Sequence, residues 1–452
     1  MAKTNKERNL LVAQSGGPTM VINQSLVGVV EEALKHDGID RILGGVRGFE
    51  GIKENDLVDL RSESLATLER VAQTPGAGLL SCRFKLTRDR CKEIFDVLSR
   101  HNVHYFFYIG GNDSALAASI LNQIAREHRY ELRIFHVPKT VDNDLLVTHH
   151  CPGYGSAARY VALAHMGDDM DNRSIKGIKI NVCMGRNAGW LTAAAALARQ
   201  RDDDGPHLIY LPERPLTLKR FVEDVLRVFD RHKRALVAVS EGVCDENGAV
   251  LVQSELIRRE LAELDMQPVI SMLDACAAVE EASGGAKKDS FGHMQLSGTG
   301  LLGDFLAAVV KIYAYKHKKI KSLRLRADTL GYPQRSMMGV VSSVDQQEAR
   351  EVGRRAVQYC MRGDIDGSVA INRLGEEGGP YAVEYFLANL RDVADPERSS
   401  KEQIKIVPDT MIAAGGNDVT QEFIDYARPL VGSLPEKGFL SFKKVTEEGA
   451  TG

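Results

Sequence analysis

Residues 103–128 read VHYFFYIGGNDSALAASILNQIAREH. An apolar, strand-forming run meets two glycines and passes at once into an alanine-rich segment of helical character. A strand that turns this sharply into a helix presents bare backbone N–H groups to an anion, usually a phosphate. Here the turn also carries a carboxylate, Asp113, where an incoming anion would be repelled. The same strand–turn–helix phrase recurs outward in both directions. NLLVAQSGG (9–17) precedes MVINQSLVGVVEEALKH, and LRIFHVPKT (132–140) is a strand stopped by Pro138. GIKINVCMGRNAG (177–189) and HLIYLPE (207–213) are two further strands, separated by an expected Ala-rich helix over 191–200. RALVAVSEG (234–242) follows an expected helix over 217–232. This alternation predicts an α/β protein with parallel sheets covered by helices on both faces, and ligands at the carboxyl ends of the strands.

The chain has 452 residues, so two domains are expected rather than one core. Hydrophobic content of 44%, charged content of 26% and a net charge of −3 give no global electrostatic case for nucleic acid or a membrane surface. Seven scattered cysteines without a CxxC pair argue for a reducing compartment and against a zinc site or disulfide framework. MAKTNKERNLLVAQSGG has too few apolar residues before its first glycines for a secretory core, and AGWLTAAAALA (188–198) is too short to span a membrane. The expectation is a cytoplasmic protein. A second GGND, at 415–418, reads as an ordinary helix start, with Asp418 and Gln421 at capping-box spacing. Residues 388–403 read as an exposed connection, 283–292 as a mobile loop near a ligand, and the last dozen residues as frayed.

Several segments can carry chemistry. VPKTVDNDL (137–145) delivers Lys139 and then two carboxylates, Asp142 and Asp144. If extended, it aims both carboxylates the same way, and such a pair needs a cation, a metal or a shared proton. Equally, Asn and Asp there are ordinary turn punctuation. MGRNAGW (184–190) sets Arg186 just past a strand, where a guanidinium can grip a phosphate. VSEGVCD (239–245) ends a strand with Glu241, RLRADTLGYPQRS (324–336) holds three arginines and Tyr332, and Arg83 follows a flexible glycine pair. Each of these reads on its own as a solvated loop. No Walker A or GxGxxG motif is present. Anion-holding turns, arginines, a lysine and paired carboxylates, all at strand ends, together describe a phosphoryl-transfer site.

In order and spacing, GGPT, GGNDS, PKTVDND, MGR, SEG and LGYPQR resemble the phosphofructokinase family, and within it the pyrophosphate-dependent enzymes. The resemblance runs from about residue 10 to 340 and is weaker beyond. It implies two Rossmann-like three-layer α/β/α domains with the active site in the cleft between them. Residues 1–152 plus about 335–410 would form the phosphoryl-donor domain, and 153–334 plus about 411–452 the sugar-phosphate domain. The implied reaction is a reversible, Mg²⁺-dependent transfer from pyrophosphate to C1 of fructose 6-phosphate, a step of glycolysis and gluconeogenesis. Asp142 would be the base, aided by Lys139 and Arg186. Gly16, Gly17, Arg83, Gly111, Asp113 and Lys139 would hold pyrophosphate. Thr140, Asp142, Met184, Gly185, Arg186, Glu241, Arg326, Tyr332 and Arg335 would hold the sugar phosphate. Asp113 and Asp144 would serve the metal. The resemblance implies a homodimer or homotetramer with no nucleic-acid or membrane partner.

The resemblance also answers for Asp113. ATP-using members carry glycine at the positions of Asp113 and Lys139. A carboxylate at the first fills the room that an α-phosphate needs, and a lysine at the second supplies charge to pyrophosphate. Three departures stand out. Asn112 replaces a metal-serving Asp, Tyr332 replaces a histidine of ATP-dependent bacterial enzymes, and only Lys176 or Lys179 stands near the place of an arginine lent by a neighbouring subunit. The alternatives are an ATP-dependent phosphofructokinase or a non-catalytic regulatory subunit, and the acceptor could extend to sedoheptulose 7-phosphate.

Overall fold

A computed structural model describes residues 8–83, 87–282, 300–395, 397–398, 402 and 404–438. The strands are β1 (Asn9–Gln14), β2 (Ile42–Gly45), β3 (Leu57–Asp59), β4 (Val103–Gly110), β5 (Arg133–Pro138), β6 (Ile178–Cys183), β7 (Leu208–Tyr210), β8 (Ala235–Ser240), β9 (Leu325–Thr329), β10 (Asp366–Leu374) and β11 (Ala382–Ala388). They form two sheets, in the orders β11-β10-β5-β4-β1-β2-β3 and β7-β8-β6-β9. The second is parallel throughout. The first is parallel except for its two edge strands, β3 and β11, which pair antiparallel.

The apolar runs are strands because both faces are covered. Leu10 and Val12 of β1 enter one core with Phe107 and Phe135, while Leu11 and Ala13 enter the opposite core with Phe106 and Ile134. On the first face, helix α1 (Ile22–Ala33) lies against helix α5 (Ser343–Arg362). A Cβ on Gly28 would fall 2.1 Å from the Arg350 carbonyl oxygen, and one on Gly353 would fall 2.3 Å from that of Ser25. Helix α2 (Asn112–Glu127) follows β4 with Gly111 at its N-cap and Asp113 in its first turn. In the second sheet, α4 (Leu218–His232) buries Phe221, Val222, Val225 and Leu226 at helical spacing, and its Thr217 N-cap hydroxyl accepts from the Arg220 N–H. Helix α3 (Tyr154–Ser174) and helix α6 (Gln421–Val431) close the other face.

Four local expectations change. The Ala-rich helix is one α-turn, Trp190–Ala193, running into a 3₁₀ segment, Ala194–Ala198. All nine of these residues are buried, so packing rather than alanine's propensity sets the winding. Asp418 does not cap a helix. Its carboxylate accepts from Arg199 Nη1 at 2.9 and 3.0 Å, and α6 starts after Thr420. The connection 388–403 is not simply exposed, because Leu390, Val393 and Ala394 are buried. Lastly, 324–336 is not all loop, since Arg326 lies on β9 in register with Lys179. The expected mobile loop, 283–292, and the last dozen residues lie outside the described residues. Among the described residues, no helix is long and apolar enough to cross a membrane.

Candidate functional site

Strands β1, β4 and β5 are parallel neighbours, so their carboxyl ends deliver three turns side by side. The first turn holds Gly16, whose φ of +74° suits glycine, and Gly17. The second is Gly110–Asp113, and the third starts at Lys139. The Lys139 N–H donates to the Gly110 carbonyl at 2.9 Å. Its buried ammonium crosses the whole width and donates to the Gly17 carbonyl at 2.7 Å. His136, fully buried, steadies the middle turn: Nε2 meets the Gly110 carbonyl at 2.9 Å and Nδ1 meets Ser368 Oγ on β10 at 2.8 Å.

Beyond Pro138 the chain is a turn, not an extended strand. The Asp142 N–H donates to Thr140 Oγ1 at 3.1 Å, and Asn143 takes a left-handed φ of +56°. The expectation of two carboxylates aligned by strand alternation therefore fails, because the hydroxyl and the Asn side chain favour the turn. The carboxylates still meet electrostatically. Burial first, then the charge of Asp142, pushes Asp144 up to about 7. Asp144 Oδ2 accepts from Asn112 Nδ2 at 2.9 Å, and Asn112 Oδ1 is buried with no hydrogen-bond partner among the described residues. Burial lowers Lys139 to about 8, with Arg335 acting in the same direction and Asp142 and Asp144 opposing. Asp113 is exposed in the first turn of α2, where the helix dipole favours an acid.

The second sheet supplies the facing wall. Met184–Arg186 follow β6, and Glu241 follows β8. The Gly185 N–H donates to Glu241 Oε1 at 3.3 Å, and Ser240 Oγ donates to the Gly185 carbonyl at 2.6 Å. Past β9, Tyr332 and Arg335 reach the first wall: a Cβ on Gly17 would lie 2.9 Å from the Arg335 guanidinium carbon. Gly16, Gly17, Pro18, Ser81, Cys82, Arg83, Tyr332 and Arg335 line a cavity of about 350 Å³ between the walls. Burial lowers the Arg335 pKa, and the Arg83 charge adds to the effect, as expected of cations that converge on one cavity. Arg326 does not line this cavity. It is exposed on β9 beside Lys179, whose ammonium pairs with Asp168 at 3.2 Å and with Asp328.

Two residues that brace the site, Gln334 (buried) and Glu213 (half-buried), were not read from the sequence. Gln334 Oε1 accepts from the Met184 N–H at 3.1 Å while its Nε2 donates to the Gly331 carbonyl at 2.8 Å, fixing two turns of the facing wall together. Glu213 Oε1 accepts from the Gly189 N–H at 2.8 Å and the Val407 N–H at 3.0 Å. The Gln334 signal was its place inside the GYPQR stretch; Glu213 left none.

Residues 9–360 match the family described as phosphofructokinase. Over 423 residues, 94% of both chains, the sequence is 47% identical to a pyrophosphate–fructose 6-phosphate 1-phosphotransferase of Rhodospirillum rubrum. A Xanthomonas campestris protein of the same name is 35% identical over 432 residues, 94% of this chain and 91% of the relative. Among solved structures, the pyrophosphate-dependent phosphofructokinase of Marinobacter aquaeolei superposes with a TM-score of 0.74 at 30% identity, covering 96% of this chain and 93% of its own.

Proposed function

The chain belongs to the phosphofructokinase family, and from that premise we propose that its cleft transfers phosphoryl reversibly from pyrophosphate to C1 of fructose 6-phosphate. The observation that carries the reading is the buried Lys139 ammonium held over the Gly16–Gly17 turn, with Asp142 and Asp144 just behind it. The cavity beside them is walled by backbone and two guanidiniums, which suits a compact polyanion. Asp142 accepts the proton of the sugar's 1-hydroxyl. That oxygen attacks the terminal phosphorus, the bridging P–O bond breaks, and phosphate leaves against Lys139 and Arg83. Gly111 and Asp113 border the donor, with Asp113 and Lys139 setting its identity. Thr140, Met184, Gly185, Arg186, Glu241, Tyr332 and Arg335 hold the sugar phosphate. Arg326 belongs to that set by motif, from its place on the exposed edge strand.

Phosphoryl transfer in this family requires a divalent metal, and Mg²⁺ is the reading here. The donors fit: hard oxygens of Asp144 and Asp113, and the buried Asn112 Oδ1, which has no hydrogen-bond partner among the described residues, suit an ion that takes one or two protein ligands and completes its shell with phosphate and water. When bound, it would neutralise charge on the transferring group. Residues 1–152 plus about 335–410 form the donor domain and 153–334 plus about 411–452 the sugar domain of a cytoplasmic homodimer or homotetramer. Initial rates with Mg²⁺ and fructose 6-phosphate test the reading. Pyrophosphate should support turnover and ATP should not; comparable rates with ATP would overturn the donor assignment.

A further inference from the structure

Residues 404–408 lie outside the span that matches the family, yet they run beneath the cleft and touch both of its walls. Lys405 is the point of contact. Its peptide N–H donates to the Asp144 carbonyl at 2.9 Å, and its own carbonyl accepts from the Trp190 indole N–H at 2.9 Å. Its ammonium donates to the carbonyls of His149 at 2.7 Å and Thr148 at 3.1 Å, lies 3.5 Å from Asn143 Oδ1, and sits 5.1 Å from the centre of the Trp190 ring. Two residues on, the Val407 N–H shares Glu213 Oε1 with the Gly189 N–H. One short segment thus ties the loop bearing Asp142 and Asp144 to the turn that leaves Met184–Arg186.

A lysine on a protein surface keeps its ammonium in water, because fixing the long side chain and removing its hydration both cost free energy. Lys405 instead directs its donors to the backbone of a single loop, where its positive charge also offsets the Asp144 carboxylate. We propose that Lys405 is a positioning residue for phosphoryl transfer, holding the Asp142–Asp144 loop in register with the sugar-side turn. It acts through the backbone of residues 143–149, not on the reacting atoms, and the inference rests on the phosphoryl-transfer reading above.

Lys405→Met keeps the aliphatic stem over Trp190 and removes the charge and its hydrogen bonds. Near-attack geometry is steep enough that a shift of about 1 Å costs about 100-fold. The expected result is therefore a fall in kcat of roughly 30- to 100-fold, with KM for both substrates within about threefold. Amide hydrogen exchange should quicken across residues 141–151 and stay unchanged in β1 and β4, and Lys405→Arg should restore part of kcat. A Lys405→Met enzyme that keeps kcat within about threefold per folded molecule, or unchanged exchange across 141–151, overturns the proposal. Should that variant fail to fold, Trp190→Phe removes the indole N–H that the Lys405 carbonyl accepts, together with part of the ring over the ammonium. It should lose kcat about fivefold with faster exchange at 404–408, and wild-type values for both would overturn the proposal equally. A wild-type enzyme inactive with pyrophosphate would instead refute the functional reading, leaving the exchange comparison to decide Lys405.

Discussion

Lys139 and Asp144 illustrate how a site can hold opposite charges near neutrality at once. Burial dominates both, drawing the ammonium down to about 8 and the carboxyl up to about 7; Asp142 and Asp144 ease the first, and Lys405 eases the second. Asp142 sits between them in sequence, in a turn held by Thr140, and is the group proposed above as the base. Asp142→Ala should lower kcat by about 10²–10⁴ with KM nearly unchanged, as steady-state rates would read out. A large rise in KM with kcat preserved would make Asp142 a binding group instead. Donor choice is argued at the same scale. Asp113 is exposed, so solvent screens its charge, and on the proposed reading its bulk at the mouth of α2 would be the stronger half of any exclusion of ATP. The double change Asp113→Gly with Lys139→Gly should bring ATP-driven turnover into the measurable range, and persistent silence with ATP would count against steric exclusion.

At the level of elements, α1 and α5 pack backbone to backbone because Gly28 and Gly353 leave no side chain between them. The atoms that a new Cβ would strike are carbonyl oxygens fixed in helices, which cannot swing aside as a side-chain tip could. Gly353→Ala should therefore destabilise by about 2 kcal/mol or more, seen as a lowered Tm, while a neutral Tm would mean that the pair slides freely. The same elements show what the sequence made legible. Parallel strands buried on both faces read as unbroken apolar runs, so β1, β4, β5, β6 and β8 were plain, and with them the turns carrying Gly16, Asp113, Lys139, Arg186 and Glu241. Strand β9 was hidden because an exposed edge tolerates Arg326 and Asp328, and β3 because three residues hold no period. Lys405, Glu213 and Gln334 were hidden for another reason. They act by reaching backbone groups that only the folded chain brings within range.

Across the whole molecule, burial sets the response to acid. Burial lowers His136 and His207 to about 4 and also lowers His165, so the folded chain refuses protons that the unfolded chain accepts below about 6.5. Stability should thus fall as pH drops from about 6.5 towards 4, with fully buried His136 alone worth up to about 3 kcal/mol. Asp144 and Asp345, raised to about 7 and about 6, gain protons on folding in that window and offset much of the loss, while His149, lowered further still by burial, and His165 keep the balance with the histidines. Thermal melts at pH 7 and pH 5 should give the lower Tm at pH 5, and a flat or rising Tm would contradict the sign. The two sheets, finally, meet where the Arg335 guanidinium rests against Gly17. Only the hydrogen atoms of the glycine face the guanidinium there. One added methyl at that spot would strike the guanidinium itself, turning the arginine out of its place in the wall and reshaping the cavity from within.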